Sequence, residues 1–267
     1  MVPEAADRLE AADLEPGRAT APLSTLRVWR ALHARLMRGQ PGAAHEVLQG
    51  AAASEALVPF LAEHAVRLHV AGYLPASELE PWLPALERES TQDANFWLGV
   101  LAMHRGDLSG VEAHADAIER ASPPLRAPLS DAPPQYATVL RMLARLTAGD
   151  TTTLRRLEQA LPTLPTKSAR RDHVASFVRS NVGQWLLDHG HTAAAERYLR
   201  SITHYEAFEY LPAQLALATI DEVREDTAAA RSRYQLVLDW WRDAEDAFQP
   251  LRAEASAGLE RIGSAPS

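Results

Sequence analysis

The sequence contains no cysteine, a single lysine and no long apolar run. Without cysteine the chain cannot form disulfides, thiolate metal sites or a cysteine nucleophile. Its formal net charge is −8, and all its cationic side chains except Lys167 are arginines. A general nucleic-acid surface needs clustered positive charge, so no nucleic-acid partner is expected.

Membrane and export signals are also missing. No segment approaches the roughly 18 apolar residues that cross a bilayer. The acidic stretch MVPEAADRLEAADLEP at the start lacks the apolar core of a secretory signal. We therefore expect a cytoplasmic protein that is not inserted in a membrane, and we leave open peripheral docking on a membrane complex.

Motifs for catalysis and metal binding do not occur. The sequence has no Walker A loop, GxGxxG or GxSxG, and HEVLQ at 45–49 lacks the second histidine of HExxH. His189 and His191 flank a predicted turn without a third ligand, and the acidic pairs fall at exposed or cap-like positions. We accordingly predict no catalytic residue, no cofactor, no metal site and no enzymatic activity.

The hydrophobic residues recur with a helical period. Val174, Val178, Val182 and Leu186 fall on one helix face, and alternating strand patterns are absent. Alanine, leucine, arginine and glutamate dominate, and all four favour helices. The pattern predicts an all-α fold.

Chain reversals recur at nearly regular intervals. The spacings between successive predicted turns are 33, 34, 43, 41 and 35 residues by subtraction. A period near 34 is typical of stacked helix hairpins. Asp107, Asp150, Thr192 and Asp226 follow four of the turns as predicted N-caps, and Pro41 suits a first helical turn. The predicted turns lie at Gly39, Gly72, Gly106, Gly149, Gly190 and Glu225.

Small residues recur on both sides of these turns, where the two helices of a hairpin would cross. Seven residues before a turn, the small residues are Ala65, Gly99, Gly183 and Ala218. Five residues after a turn, they are Ala44, Ser77, Ala195 and Ala230. The hairpin at Gly149 has neither small residue.

At this level the chain resembles the tetratricopeptide repeat family, in a degenerate form. The segments that carry the resemblance are FWLGVLAMHRGDLSGVEAHADAIERA (96–121), VGQWLLDHGHTAAAERYLRSI (182–202) and LALATIDEVREDTAAARSRYQLVLDWW (215–241). The last unit is similar to repeat tails of bacterial serine/threonine kinases and regulators, without the kinase motifs HRD and DFG. The resemblance implies an α-solenoid of about six TPR-like hairpins with a C-terminal capping helix.

The organisation that follows has five segments, of which the proline-rich one is either a linker or a binding loop. They are a flexible leader (1–22), hairpins 1–3 (23–121), a proline-rich loop (122–135), hairpins 4–6 with the cap (136–262) and a disordered tail (263–267).

We expect such a module to act as a protein-protein interaction scaffold or an accessory subunit of a larger assembly, which could be associated with a membrane. The alternatives are a regulatory or sensor module of a bacterial kinase or transcription system, and an all-α hydrolase. In the family the first helix of each hairpin lines the binding groove. Candidate groove residues are Phe96, Val100, Met103, Phe177, Asn181, Gln184 and Leu187. Candidate aromatic anchors, for which packing in the core between repeats is the alternative, are Tyr205, Phe208, Tyr210 and Trp240.

Overall fold

The computed structural model describes residues 25–52, 57–121, 135–161, 173–204 and 206–264. Helices and turns make up these ranges, and no strand occurs in them. The prediction of an all-α fold is therefore confirmed. The predicted leader (1–22), all of the proline-rich loop except Gln135, and Tyr205 lie outside the described residues.

The helices follow one another with short connections, and three short 3₁₀ segments (Glu80–Trp82, Thr151–Thr153 and Asp246–Phe248) lie between them. The α-helices are α1 Thr25–Met37, α2 Pro41–Ala51, α3 Val58–Val70, α4 Ala76–Leu79, α5 Leu83–Arg88, α6 Gln92–His104, α7 Leu108–Arg120, α8 Tyr136–Thr147, α9 Leu154–Ala160, α10 His173–Asp188, α11 Thr192–Leu199, α12 Tyr210–Val223, α13 Thr227–Trp240 and α14 Gln249–Ser264.

All six predicted turns are present and share one backbone geometry. Each turn residue has a positive φ, between 63° at Glu225 and 91° at Gly149. At each turn the turn residue donates to the carbonyl three positions back, and the next residue donates to the carbonyl five positions back. At Gly106, for example, Gly106 N donates to Met103 O and Asp107 N to Ala102 O. This is the Schellman ending, which satisfies carbonyls left open at a helix C-terminus.

Most of the helices that follow the turns begin at the residues that the sequence predicts. Asp107, Asp150 and Asp226 each accept a backbone N–H at the start of the next helical segment. Helix α2 begins at Pro41, as predicted. Thr192 is not an N-cap: it is the first residue of α11, and His191 occupies the cap position without a side-chain bond.

Two of the second helices are interrupted by a 3₁₀ turn. After Gly72 the chain forms α4, a 3₁₀ turn and α5, and Pro81 and Pro84 are the second residues of the last two segments, where a missing N–H breaks no helical hydrogen bond. After Gly149 a 3₁₀ turn precedes the seven-residue α9. This is the hairpin that lacks both small residues.

Within a hairpin the first helix is far more buried than the second. Eight of the 13 residues of α6 and nine of the 14 residues of α12 are buried, against three of 13 in α7 and four of 14 in α13. Two glycines allow neighbouring helices to approach closely. A Cβ at Gly183 of α10 would lie 2.9 Å from Leu199 Cδ2 of α11, which is a contact within one hairpin, as predicted. A Cβ at Gly99 of α6 would lie 2.3 Å from Leu140 Cδ2 of α8, which belongs to the next hairpin.

The chain divides into two compact units: unit 1, Met1–Ala51 with Arg179–Ser267, and unit 2, Ala52–Val178. In unit 1 the α1–α2 turn contacts the α13–α14 connection, where Glu245 N donates to Gly39 O at 2.9 Å. His33 Nε2 also lies 2.9 Å from the carbonyl oxygen of His204. A row of hairpins that touch only their sequence neighbours does not predict these contacts.

The C-terminal helix α14 packs on α12 and α13 and continues through Gly263 and Ser264, two residues of the predicted tail. The close packing depends on Gly258, whose missing Cβ would lie 2.3 Å from the ring of Tyr234. Among the helices described above, none combines the length and apolarity that crossing a bilayer requires.

Candidate functional site

Four of the predicted partner-binding residues are buried inside the chain. Phe96 and Val100 are 0% exposed, and Phe177 and Trp240 are 8% and 4% exposed. In this conformation the four side chains are part of the core, so their exposure does not support a contact with a partner, and that contact stays a prediction. For Phe96 and Phe177 the cause of the burial is that both pack against Trp97 of α6, with ring centroids 5.7 and 5.3 Å away.

The tryptophan pair at the end of α13 is buried as a whole, so Trp240 takes the core position that the sequence left open for it. Helix α13 ends at Trp240, so the helical period no longer constrains Trp241. Trp241 is 0% exposed and packs edge-on against Phe248 at 5.0 Å. Both indoles belong to the core of unit 1.

The remaining predicted residues reach the surface to different extents. Gln184 is exposed, and the others described are half-buried: Met103, Asn181, Leu187, Phe208 and Tyr210. Met103 belongs to unit 2 and the rest to unit 1. Tyr205 lies outside the described residues.

Around Gln184 and Leu187 the structure forms an aromatic surface that the sequence analysis missed. Trp185 is half-buried, and the exposed ring of His189 stacks on it with 3.9 Å between centroids and 17° between planes. The exposed ring of His191 is nearly parallel to the indole, 6.5 Å away. The i, i+4 spacing of Trp185 and His189 was the available signal. We call these five residues, Gln184, Trp185, Leu187, His189 and His191, the α10–α11 turn surface.

Hydrogen bonds hold this surface in place. His189 Nδ1 lies 2.8 Å from Trp185 O and donates to it, because a carbonyl can only accept. Gln184 Nε2 donates to Asp188 Oδ1 at 2.8 Å. The turn at Gly190 is closed by its Schellman bonds. A preorganised, partly exposed indole is typical of an interface anchor, because it buries a large area at little entropic cost.

A second polar feature of unit 1 lies between α12 and α13 and is largely buried. Arg233 Nε donates to Asp221 Oδ2 at 2.7 Å, and its Nη1 donates to the side-chain Oε1 of Gln214. Asp221 and Gln214 are 3% and 8% exposed. Because these groups satisfy one another, the arrangement is suited to fixing the hairpin rather than to binding a ligand.

Neighbouring carboxylates in unit 1 are paired as well. Glu222 accepts from Arg261 Nε at 2.6 Å and from Tyr234 Oη at 2.7 Å, and hydrogen bonding by Arg261 holds the pKa of Glu222 below its usual value. Glu196 pairs with Arg200 and Arg224. The pKa of Glu196 is lowered by these arginines, against an opposing effect of burial, which is the largest single influence. Both carboxylates therefore stay ionised at neutral pH, unlike a general acid.

Unit 2 contains a buried cluster of basic and aromatic side chains. The ring of His64 lies 5.2 Å from that of His173, and Arg67 Cζ is 5.5 Å from the centroid of Trp97. His64 Nδ1 lies 2.9 Å from Phe60 O. Burial, reinforced by the charge of Arg67, lowers the pKa of His64 to about 3. His64 is thus a neutral core residue at physiological pH and a poor proton acceptor.

On the outer face of α7, also in unit 2, three carboxylates surround one arginine. Arg141 of α8 pairs with Glu112, Asp116 and Glu119, which are half or more exposed. Within the ranges that the structure describes, no three His, Asp or Glu side chains are grouped so as to hold a metal ion. The acidic face therefore joins α7 to α8.

No protein-family model matches the chain, and no curated protein is significantly similar to it.

Proposed function

We propose that this chain is a cytoplasmic protein-protein interaction scaffold, an accessory subunit built from TPR-like helix hairpins. The observation that carries the proposal is the repetition of one Schellman turn, with the same two hydrogen bonds, at all six predicted positions. Repeated hairpins of this kind build extended surfaces for other proteins, because each unit adds one more face to its neighbour.

The α10–α11 turn surface is the proposed contact region. The burial of Phe96, Val100 and Phe177 favours this exposed surface over the groove predicted on the first helices. Trp185 remains as a rigid, half-exposed anchor, flanked by two exposed imidazoles and by Leu187. Interfaces draw most of their binding energy from a few residues of this type.

The test is affinity purification of the tagged full chain from its native host, followed by mass measurement of the isolated complex. The wild-type chain is expected to retain a protein in fixed stoichiometry. Trp185→Ala is expected to lose it at least tenfold, since truncating an anchor costs about 2 kcal/mol or more. The matched control is Val223→Ala, an exposed apolar residue of unit 1 (72% exposed) outside the surface.

His189→Ala provides a second variant that leaves the indole in place. Retention of the partner by both Trp185→Ala and His189→Ala would show that the contact lies elsewhere. If the wild-type chain retains no protein in fixed stoichiometry, the scaffold proposal is wrong.

A further inference from the structure

Two histidines of unit 2 meet where helices α3 and α6 end. His69 is the last residue but one of α3, and His104 is the last residue of α6. Their ring centroids lie 5.4 Å apart, and their planes are inclined to each other by 75°. His104 is exposed and His69 is half-buried, so the pair can be reached from solvent.

A backbone carbonyl fixes the orientation of the His69 ring. Its Nδ1 lies 2.7 Å from Leu74 O and donates to it, because a carbonyl can only accept. The neutral ring therefore carries its proton on Nδ1 and a lone pair on Nε2. Histidines that bind metal ions are commonly held in this way, with a carbonyl on the other ring nitrogen.

The distance between the two rings matches that of two imidazoles on one metal ion. A nitrogen–metal distance of about 2.1 Å puts each ring centroid about 3.2 Å from the metal, and at the tetrahedral angle two such centroids are about 5.2 Å apart. His69 and His104 are at 5.4 Å. The rings are not stacked face to face, so rotation of the exposed His104 ring can aim one of its nitrogens at the point that His69 Nε2 faces.

The position of the pair also favours a cation. Both helices end at the pair, and the C-terminal end of a helix is the negative end of its dipole. Imidazole nitrogens suit Zn²⁺, Ni²⁺ and Cu²⁺, whereas Mg²⁺ and Ca²⁺ prefer oxygen ligands. Within the described ranges no third His, Asp or Glu is grouped with the two rings. The remaining coordination positions of an ion bound there are therefore open to water or to a ligand from another molecule.

We propose that His69 and His104 form a two-histidine site for a divalent transition cation such as Zn²⁺. One nitrogen of each ring binds the ion, and the ion joins the end of α3 to the end of α6. The two histidines are 35 residues apart by subtraction, so no spacing motif in the sequence marks the site. The site is independent of the proposed function, because it lies in unit 2 and the α10–α11 turn surface lies in unit 1.

Titration of the full chain with Zn²⁺, followed by NMR of the histidine rings, tests the site. The ring resonances of His69 and His104 are expected to shift together. In His104→Gln the affinity is read from the His69 ring and is expected to fall at least tenfold, since loss of even a group that only orients a metal ligand costs about 10–100-fold.

The variant His69→Asn separates the roles of the two nitrogens of the His69 ring. The asparagine amide can still donate to Leu74 O, as Nδ1 does, but it has no counterpart of Nε2. Without metal this variant is expected to keep the wild-type midpoint of thermal unfolding. Its Zn²⁺ affinity, read from the His104 ring, is expected to fall at least tenfold. Zn²⁺ should raise the midpoint of the wild-type chain more than that of either variant, because an ion that binds the folded chain stabilises it.

The matched control is His114→Gln, which replaces a half-buried histidine of the same unit on α7 and should leave Zn²⁺ binding unchanged. Equal affinity in His69→Asn, His104→Gln and the wild-type chain would overturn the inference. A loss confined to one of the two variants would also overturn it, because it indicates a contact with a single histidine. The absence of any shift of the two wild-type rings at millimolar Zn²⁺ would show that no site exists.

Discussion

The two units of the molecule use the same two kinds of contact in different places. In unit 1, arginine–carboxylate pairs connect α12 to three other helices: Arg224, directly after α12, pairs with Glu196 of α11, Asp221 pairs with Arg233 of α13, and Glu222 pairs with Arg261 of α14. In unit 2, aromatic rings connect α6 with α8 and α10, through Phe96 with Tyr136 and Trp97 with Phe177, whereas the carboxylates around Arg141 are exposed on α7. The turns within the hairpins have the same geometry in both units.

The geometry of arginine suits the pairs of unit 1. One guanidinium can bond two acceptors at fixed angles, as Arg233 does with Asp221 and Gln214 and as Arg261 does with both oxygens of Glu222. A lysine ammonium has no such planar geometry. Connections of this type depend on charge and salt, whereas ring packing does not, and the predictions below use that contrast.

The largest expected effect is the loss of a ring from unit 2. Trp97→Ala should lower the free energy of unfolding by about 3–5 kcal/mol, because it removes a fully buried indole and leaves a cavity. Urea denaturation followed by circular dichroism measures the loss, which should be the same in low and high salt. Leu108→Ala, 56% exposed in the same unit, is the control and should cost less than about 0.5 kcal/mol. A cost for Trp97→Ala below that of the control would contradict the assigned core.

The matching change in unit 1 removes a buried charge. Asp221→Asn should lower the free energy of unfolding by about 3 kcal/mol, because it leaves Arg233 without its ionic partner in a largely buried site. The control, Asp239→Asn, removes one member of an exposed pair with Arg242 and should cost less than about 1 kcal/mol. Equal effects of the two substitutions in urea denaturation would show that the Asp221 pair adds no stability.

Acid should destabilise the chain in two distinct pH windows. His64 has a pKa of about 3 in the folded chain against 6.5 for an exposed histidine. The unfolded chain thus binds the proton first, and the free energy of unfolding falls as the pH drops from 6.5 towards 3, by at most about 1.4 kcal/mol per pH unit from this group. The lowered pKa values of Glu196 and Glu222 stabilise the folded chain above pH 4.5, the usual glutamate value, and this contribution is lost as the pH falls further.

Urea denaturation at a series of pH values separates these windows. His64→Gln should flatten the slope between pH 6.5 and 4.5, and below pH 4.5 it should reduce the slope without removing the contribution of the glutamates. Glu222→Gln should reduce the loss only below pH 4.5. A wild-type slope in the upper window that survives His64→Gln would show that His64 is not its source.

The smallest expected effect is an increase in the free energy of unfolding. Glu225 is the only non-glycine with positive φ in the described ranges, and Glu225→Gly should raise the free energy of unfolding by about 0.5–1 kcal/mol by relieving that strain. The reciprocal change in unit 2, Gly106→Ala, should cost about 1 kcal/mol, since its surroundings are open and only the backbone resists. Thermal unfolding of both variants measures the pair, and a loss for Glu225→Gly would contradict the assigned turn.

The sequence predicted the local structure well and the exposure of side chains poorly. The six turns, of which Gly39 is the first and Glu225 the last, could be identified from the sequence, as could the cap Asp107. Left-handed turns and caps depend on a few adjacent residues. Phe96 and Val100 were assigned to a groove because periodicity shows which residues share a face but not what covers that face. Trp185 escaped notice because its stacking on His189 depends on the turn that follows.

The sequence by itself determined the helical class, the six chain reversals and most helix starts, since backbone hydrogen bonding and φ preferences act over four or five residues. Only the tertiary structure decided that α6 and α12 are core helices, that arginine pairs connect α12 to three neighbours, and that Glu245 caps a helix whose first turn lies about 200 residues earlier in the chain. Those contacts depend on which surfaces meet in space, and no periodic pattern along the chain encodes that.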